Sequence, residues 1–323
     1  MRDVVVIGGG LAGLSACYEL EKHKIRYTLI EVKPRLGGSI ISSEEQGFVM
    51  DGGAFAIQDD GIRDAVAAIG LDPDALFDMG GQTVGFTAGT ESLIHTLADK
   101  LTQGRLMRMA VSSIGHMDNR FTICMENGIM YDAGSLIIAS PARFTERMFY
   151  TFVPTISDHL RDYHYDTIFR VSLGYHKRDV PNQLDEIYDM CFPFAFMTDH
   201  ASRVPDSDHV LIQVGVRAHQ TTPHEQVINE VIQRYGLGDH PIVQRVHYWS
   251  EADPLSCYDD QHGNILQTIR ESLPDGVYLV GSDYMETCPQ HKGVVSLRER
   301  IEQGQVVATS AINYLKGRKH GNS

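Results

Sequence analysis

Three glycines near the N-terminus have the spacing of a phosphate-binding turn. Gly8, Gly10 and Gly13 follow the apolar β-branched run of residues 4–7 and open a helical pattern. Gly8 permits a tight turn, Gly10 lets backbone N–H groups approach a pyrophosphate, and Gly13 lets the helix pack against the strand. The N-terminus of that helix adds partial positive charge. The turn therefore has the chemistry to bind a dinucleotide.

An acidic residue follows at the expected distance. A second strand is predicted over residues 27–30, and Glu31 comes directly after it. A carboxylate about 20 residues beyond the glycine turn is placed to accept hydrogen bonds from ribose hydroxyls. The order of strand, glycine turn, helix, strand and acid makes the motif more specific than the glycines alone.

Two more glycine pairs lie downstream. Arg35 precedes Gly37-Gly38, and Asp51 precedes Gly52-Gly53. Either pair alone would be interpreted as an ordinary loop turn. Together with the first turn they resemble the opening of the flavin amine oxidase and protoporphyrinogen oxidase superfamily, which binds FAD. An extended FAD molecule needs close backbone approach at several places, whereas plain nicotinamide dehydrogenases lack this second part.

The C-terminal region resembles the closing motif of the same superfamily. A buried strand leads to Gly281-x-Asp283, and a helix is predicted from about Gly293. The resemblance implies that the turn contacts the ribityl-pyrophosphate region and that the helix dipole stabilises the reduced flavin. Because Ser282 separates the glycine from the acid, either Ser282 or Asp283 could make that contact.

The middle of the cofactor region is predicted as one helix and a β-meander. Thr90 is placed to cap a helix over residues 91–101, and strands are predicted at 106–114, 121–125 and 135–140. In the superfamily the first of these strands passes the adenine. The resemblance implies that the following residues bind FAD: Gly8, Gly10, Leu11, Ala12, Gly13, Glu31, Val32, Arg35, Gly37, Gly38, Ser39, Gly52, Gly53, Ala54, Val111, Ala139, Gly281, Ser282, Asp283, Val294 and Val295.

A second region, rich in histidine and aromatic residues, is interpreted as the substrate domain. Strands are predicted at 169–175, 191–197 and 209–216, and a helix at 225–235. Phe192, Phe194 and Phe196 alternate along the second strand, so they either wall a flavin-facing pocket or fill a sheet core.

The predicted fold class is α/β. It comprises an FAD-binding Rossmann-like domain of the glutathione reductase type, a second α+β substrate domain and a reduced helical insertion. The predicted division assigns 1–57, 86–143 and 271–323 to the FAD-binding domain, and 58–85 and 144–270 to the substrate domain.

Three residues are candidates to line the flavin. The segment 248–258 carries Trp249, Cys257 and Tyr258. It resembles a segment of protoporphyrinogen oxidases in which Trp is followed by Pro and Tyr. It also resembles a segment of monoamine oxidases in which Trp-x-Glu is followed by Cys-Tyr and the cysteine is joined to the flavin. Cys257 is therefore a candidate for covalent attachment, although a free cysteine is commonly a small buried hydrophobe.

Composition limits the partners. The 323 residues carry a net charge of −14, which disfavours nucleic acid and anionic membranes as partners. No apolar run reaches the roughly 18 residues of a membrane span, and no leader pattern is recognised, so a cytoplasmic protein is expected. The 5 cysteines are scattered, and neither a disulfide framework nor a metal site is predicted.

The predicted function is FAD-dependent oxidation of a small molecule. A hydride would pass from an amine or a porphyrinogen-like substrate to flavin N5, and oxygen or another acceptor would reoxidise the flavin. A carotenoid or phytoene desaturase-like reaction and a non-catalytic FAD-binding module are alternatives. Because the helical insertion is short, the pocket is expected to be open or closed by a second subunit in a homodimer.

Overall fold

The computed structural model describes residues 2–118, 120–184, 189–254, 262–286, 290–291 and 294–321. The helices are α1 Leu11–Lys22, α2 Ile62–Ala68, α3 Glu91–Asp99, α4 Ala142–Phe149, α5 Pro154–Arg161, α6 His224–Tyr235, α7 His262–Ser272 and α8 Leu297–Gly321. The strands are β1 Arg2–Ile7, β2 Tyr27–Glu31, β3 Ser42–Glu45, β4 Phe48–Asp51, β5 Ala56–Gln58, β6 Leu76–Gly80, β7 Thr83–Phe86, β8 Gly104–Met107, β9 Val111–Met117, β10 Arg120–Met125, β11 Met130–Ile138, β12 Tyr165–His176, β13 Phe194–Thr198, β14 His209–Val216, β15 Val243–Pro254, β16 Val277–Leu279, β17 Gln290–His291 and β18 Val294–Val295.

A seven-stranded sheet forms the centre of the molecule. Its order is β8-β2-β1-β11-β10-β9, with β16 also paired to β11. Strands β8, β2, β1, β11 and β16 run parallel, whereas β9 and β10 are antiparallel additions. Helices α1 and α8 bury one face, and α4, α5 and α7 bury the other. Both faces of the sheet are covered, and residues 4–7 of the central strand β1 form a continuous buried apolar run, as expected for such a sheet. The predicted α/β fold is confirmed.

Helix α8 lies directly against α1 at Gly304. A Cβ atom at Gly304 would fall 2.4 Å from the carbonyl oxygen of Ala12 and 2.8 Å from the Cβ of Ser15. Only a glycine allows the two backbones to approach this closely. The C-terminal helix therefore supports the helix that begins at the phosphate-binding turn.

A Gly304→Ala substitution should lower the free energy of unfolding by about 1 to 3 kcal/mol, because the new methyl group overlaps the α1 backbone. Urea denaturation measures this change. Gly317→Ala is the matched control on the same helix, since no atom lies within 4 Å of its Cβ position. That variant should be stable or slightly more stable, by up to about 1 kcal/mol, because alanine favours helix. Equal effects of the two substitutions would show that the close approach is absent.

A second, four-stranded sheet has the order β13-β14-β12-β15. Its outer face packs on α6 through an apolar cluster that includes Val171, Ile212 and Val231. Its inner face carries polar and aromatic residues and lies against the segment that follows β4. The predicted strand at 209–216 and the predicted helix at 225–235 agree closely with β14 and α6.

Several predicted elements were wrong in detail. The predicted strand 106–114 is divided into β8 and β9, which lie at opposite edges of the sheet. Strand β13 is shorter than the predicted strand 191–197 and omits Phe192. The last helix begins at Leu297 and not near Gly293, because Val294–Val295 forms β18 beside β5.

The region 58–85 contains more structure than its sequence indicates. Strands β6 and β7 join β5, β18 and β17 in a five-stranded sheet. The buried side chains of Ile62, Val66 and Val84 belong to the same apolar core as α1 and α8. The division of the chain into domains stays a prediction.

Candidate functional site

The five parallel strands of the central sheet end at one edge, and the ends of four of them border the predicted site. These ends are Ile7, Glu31, Ile138 and Leu279, and the loops that follow them carry most of the predicted site residues. In open α/β sheets, ligands bind at the carboxyl ends of the strands. Ala139 and Gly281, each just past a strand end, are thereby placed on the same side of the sheet as the first glycine turn.

The first glycine turn has the geometry that its sequence predicts. Gly8 has φ +108°, and a Cβ there would lie 2.6 Å from the oxygen of Ala139. A Cβ on Gly13 would lie 2.0 Å from the oxygen of Gly8, so α1 packs tightly on the turn. At Gly10, which caps α1, the nearest atom to a Cβ would be the Cα of Gly38 at 4.0 Å. Gly10 therefore borders open space.

Glu31 stabilises this turn from the next strand. Its Oε2 accepts the N–H of Gly9 and its Oε1 accepts the N–H of Lys33, each at 2.7 Å. The side chain is 6% exposed. Each carboxylate oxygen keeps one further lone pair, so a ribose contact stays a prediction.

The second glycine pair lies against the first. The N–H of Gly37 donates to the oxygen of Gly9 at 2.7 Å, and Gly38 faces Gly10. The guanidinium of Arg35 donates to three carbonyls of its own loop, those of Leu36, Gly38 and Ile40. In the structure Arg35 therefore holds the shape of the loop.

The third glycine pair contacts both the second loop and the four-stranded sheet β13-β14-β12-β15, which we call the substrate sheet after its predicted role. A Cβ on Gly53 would fall 2.1 Å from the oxygen of Ser39, and one on Gly52 would fall 2.5 Å from Nδ1 of His247. The indole N–H of Trp249 donates to the oxygen of Gly52 at 2.5 Å. Trp249 therefore lies at the predicted flavin turn.

The inner face of the substrate sheet is polar opposite this turn. Arg170 on β12 is the direct cross-strand partner of His247 on β15. Burial, with further contributions from Arg245 and Arg35, lowers the pKa of His247. The Nδ1 atom of His247 is buried and has no hydrogen-bond partner among the described residues. A neutral imidazole is thus presented toward Gly52.

Two of the three alternating phenylalanines line a small cavity. Phe194 and Phe196 surround it together with Phe55 and Arg170, and its volume is about 10 Å³, close to the space of one water molecule. The guanidinium carbon of Arg170 lies 4.8 Å from the ring centroid of Phe194. Phe192 lies elsewhere, edge-on to Tyr235 on the outer side of the sheet. The prediction that the three rings share one face of the strand therefore holds for Phe194 and Phe196 and is wrong for Phe192.

At the C-terminal turn, Asp283 points at a helix. Its Oδ2 accepts the N–H of Ala142, at the start of α4, at 2.7 Å and the hydroxyl of Tyr165 at 2.5 Å. Burial raises the pKa of Asp283 despite these two hydrogen bonds. Gly281 has φ +126° and no atom within 4 Å of its Cβ position. Ser282, which is less buried than Asp283, is the residue of the two that stays available for a cofactor.

The remaining predicted residues lie in or next to the loops that follow the strand ends. Val32 is 60% exposed, and Met109, two residues before Val111, donates its N–H to the oxygen of Glu31. Leu11 and Ala12 form the first turn of α1, Ala54 follows the third glycine pair, and Val294 and Val295 pair with β5 just beyond. Cys257 and Tyr258 lie outside the described residues.

The residues fit a bound FAD. Gly10 and Gly281 each leave the space that a side chain would fill, and Gly10 stands at the N-terminus of α1, where a pyrophosphate is stabilised. The line of loops from Val32 to Val294 suits an elongated dinucleotide. Fold and site together define a flavin-binding Rossmann-type protein.

The chain belongs to the family of flavin containing amine oxidoreductases, which its residues 69–295 match. Residues 6–68 match an NAD(P)-binding Rossmann-like domain. The family confirms FAD as the predicted cofactor, and the oxidoreductase activity stays a prediction for this chain. None of the described helices is long and apolar enough to span a membrane, and the described residues contain no group of side chains suited to a metal ion.

Similar proteins share this class. Coproporphyrinogen III oxidase of Bacillus subtilis (strain 168) is 22% identical over 258 residues, which cover 73% of this chain and 52% of the relative. Amine oxidase [flavin-containing] A of Bos taurus is 42% identical over 57 residues, 17% of this chain and 11% of the relative. The matched residues thus span about half the length of the first relative and about a tenth of the second. A putative protoporphyrinogen oxidase from Exiguobacterium sp. 255-15 has the same fold, with a TM-score of 0.74, 15% identity and coverage of 96% and 98% of the two chains.

Proposed function

We propose that this protein oxidises a porphyrinogen-like substrate by hydride transfer to FAD, with oxygen or another acceptor reoxidising the flavin. Bound FAD would supply the hydride acceptor, N5. The protein's part is to hold the substrate carbon against the flavin and to exclude water. The observation that carries the proposal is the polar inner face of the substrate sheet, which lies opposite the Gly52-Gly53 turn.

The charge of this face favours a carboxylate-bearing substrate over an amine. Arg170 places a guanidinium beside Phe194 and Phe196. The one carboxylate among the described residues that line the cavity is Asp51, and it is already paired with Arg203. Arg170 is 8% exposed and the cavity holds about one water molecule, so neither substrate enters it. The guanidinium acts through its charge on a substrate bound over this face of the sheet, where it favours acidic side chains over a cationic amine. The relative that matches over most of this chain is a coproporphyrinogen oxidase, which supports the same choice.

His247 is the proposed proton acceptor. Because burial lowers its pKa, its ring stays neutral near pH 7 and can take a proton from a substrate nitrogen. Trp249 is proposed to close the flavin turn through its hydrogen bond to Gly52.

Anaerobic bleaching of the flavin tests the proposal. Coproporphyrinogen III should bleach the visible flavin absorption faster than putrescine, a larger polyamine or phytoene. Faster bleaching by an amine would reverse the choice of substrate. A flavin inert to every donor would instead favour the non-catalytic FAD-binding module.

The Arg170→Met variant should raise KM for coproporphyrinogen III by up to about 5-fold, since a charge interaction without a buried hydrogen bond contributes roughly 1 kcal/mol at most. Steady-state kinetics measures this, and Arg170→Lys should recover part of the loss. Arg178→Met is the control, because Arg178 lies just past the same strand with a side chain that is 79% exposed. Equal KM values for the Met variant and the wild type would remove Arg170 from the site.

A further inference from the structure

A buried ion pair fixes the residue that precedes the third glycine pair. Nη2 of Arg203 lies 2.7 Å from Oδ2 of Asp51, and both side chains are 0% exposed. Nη1 of Arg203 donates to the oxygen of Phe86 at 2.7 Å. Oδ1 of Asp51 accepts the hydroxyl of Ser42 at 2.5 Å and the N–H of Thr90 at 2.8 Å. Both oxygens of Asp51 are therefore used, and its orientation is determined.

Arg203 approaches this turn from the side of the substrate sheet. It lies between β13 and β14, 152 residues from Asp51. Its backbone oxygen accepts the N–H of Val49 in β4, and its guanidinium carbon lies 5.1 Å from the ring centroid of Phe55, which lines the cavity. Arg203 thus holds the segment on both sides of the Asp51–Gly53 turn.

Two neighbours hold the backbone of the same turn. Gln213 on β14 donates to the oxygen of Asp51 at 2.7 Å, and Trp249 on β15 donates to the oxygen of Gly52. With Arg203, three side chains from the substrate side fix two consecutive residues. The turn therefore takes its shape from the second sheet as much as from its own strand.

Stability alone does not account for such a pair. Burying two charges removes their hydration, and apolar residues of similar volume often replace a buried ion pair with no loss of stability. A hydrogen-bonded pair does fix direction, because the guanidinium fork accepts only certain positions of its partner.

We propose that Arg203 is a positioning residue for the flavin: it orients Asp51 so that the Gly52-Gly53 backbone is set for FAD before FAD binds. The proposal rests on the proposed contact between this turn and the flavin, and it does not depend on which substrate is oxidised.

The test separates positioning from stability with a double variant. Arg203→Met alone leaves Asp51 buried and unpaired, so a strong loss of stability or failure to fold is expected. Arg203→Met combined with Asp51→Asn removes both charges, and its apoprotein should recover most of the wild-type urea midpoint. Its dissociation constant for FAD should still be at least 10-fold higher, and its visible flavin circular dichroism should be altered. Arg203→Lys should lie between the double variant and the wild type.

An exposed ion pair supplies the control. Lys177→Met with Asp199→Asn removes a pair whose side chains are 44% and 62% exposed, and FAD affinity should not change. A double Arg203/Asp51 variant that recovers both its urea midpoint and its FAD affinity would overturn the proposal, leaving a purely structural pair. Because no substrate enters these measurements, failure of the bleaching experiment and failure of this one are distinguishable.

Discussion

A Gly10→Ala variant should fold like the wild type and bind FAD at least 100-fold more weakly. Gly10 has φ −75° and ψ 178°, which alanine adopts without strain. No heavy atom lies closer than 4.0 Å to its Cβ position, so the apoprotein should lose no more than about 1 kcal/mol, the difference between glycine and alanine as a helix cap. The methyl group would occupy the space through which a pyrophosphate approaches the N-terminus of α1. Fluorescence titration with FAD measures the loss of affinity.

Gly13→Ala is the comparison that separates the two roles of glycine in this turn. Its Cβ would fall 2.0 Å from a backbone oxygen of the turn. That variant should therefore lose stability as an apoprotein, before any cofactor is added. If Gly10→Ala bound FAD as tightly as the wild type, the pyrophosphate would have to lie elsewhere.

The N-terminal part of the site could be predicted because its signals are local. Glycine spacing, a β-branched run and an acid at a fixed distance together specify β1, α1 and β2 without knowledge of the rest of the chain. The structure places Gly9 and Glu31 within one hydrogen bond of each other, 22 residues apart. The two downstream glycine pairs were predicted as cofactor contacts, and the structure places Gly37-Gly38 against the first turn and Gly53 against Ser39 of the second loop.

The crossing between β8 and β9 could not be predicted from periodicity. Residues 106–114 have a strand-like composition throughout, but Arg108 has φ +57°, and the chain passes from one edge of the sheet to the other. The edge that each segment joins is decided by the strand it pairs with, β2 for β8 and β10 for β9. Periodicity within residues 106–114 does not show these partners. Strand β15 was missed because the polar residues Arg245 and His247 on its inner face interrupt the apolar pattern of the strand.

Side-chain roles were the least predictable feature. Thr90 stands at the N-cap of α3 as expected, but its hydroxyl donates to the oxygen of Ala54 and not to the helix. Asp283 lies in the turn that resembles the closing motif, yet its carboxylate faces α4. The sequence did not single out Arg203, because its neighbours Ser202 and Pro205 are typical of an exposed turn. These roles depend on contacts with residues that are distant in sequence, so local patterns do not reveal them.

Removal of residues 271–323 should give a chain that does not fold. Strand β16 pairs in parallel with β11, and Val280 donates its N–H to Ile138. Helix α8 covers one face of the same sheet together with α1. Its residues Leu297, Ile301 and Ile312 are at most 3% exposed. Each contributes about 1.5 to 3 kcal/mol through burial, and a domain of this kind has only about 5 to 15 kcal/mol of stability in total.

Circular dichroism and FAD titration of the truncated chain provide the measurement. The matched control ends after residue 318, which retains the α8 residues that pack on α1, and it should fold and bind FAD. The same reasoning applies to a fragment of residues 1–145, which would lack both β16 and α8. If that fragment folded alone with full FAD affinity, the cofactor domain would be continuous in sequence. The discontinuous division makes residues 271–323 complete a domain that begins at residue 1, and such a domain cannot fold without its last strand and helix. Folding of the fragment would therefore show that this division is wrong.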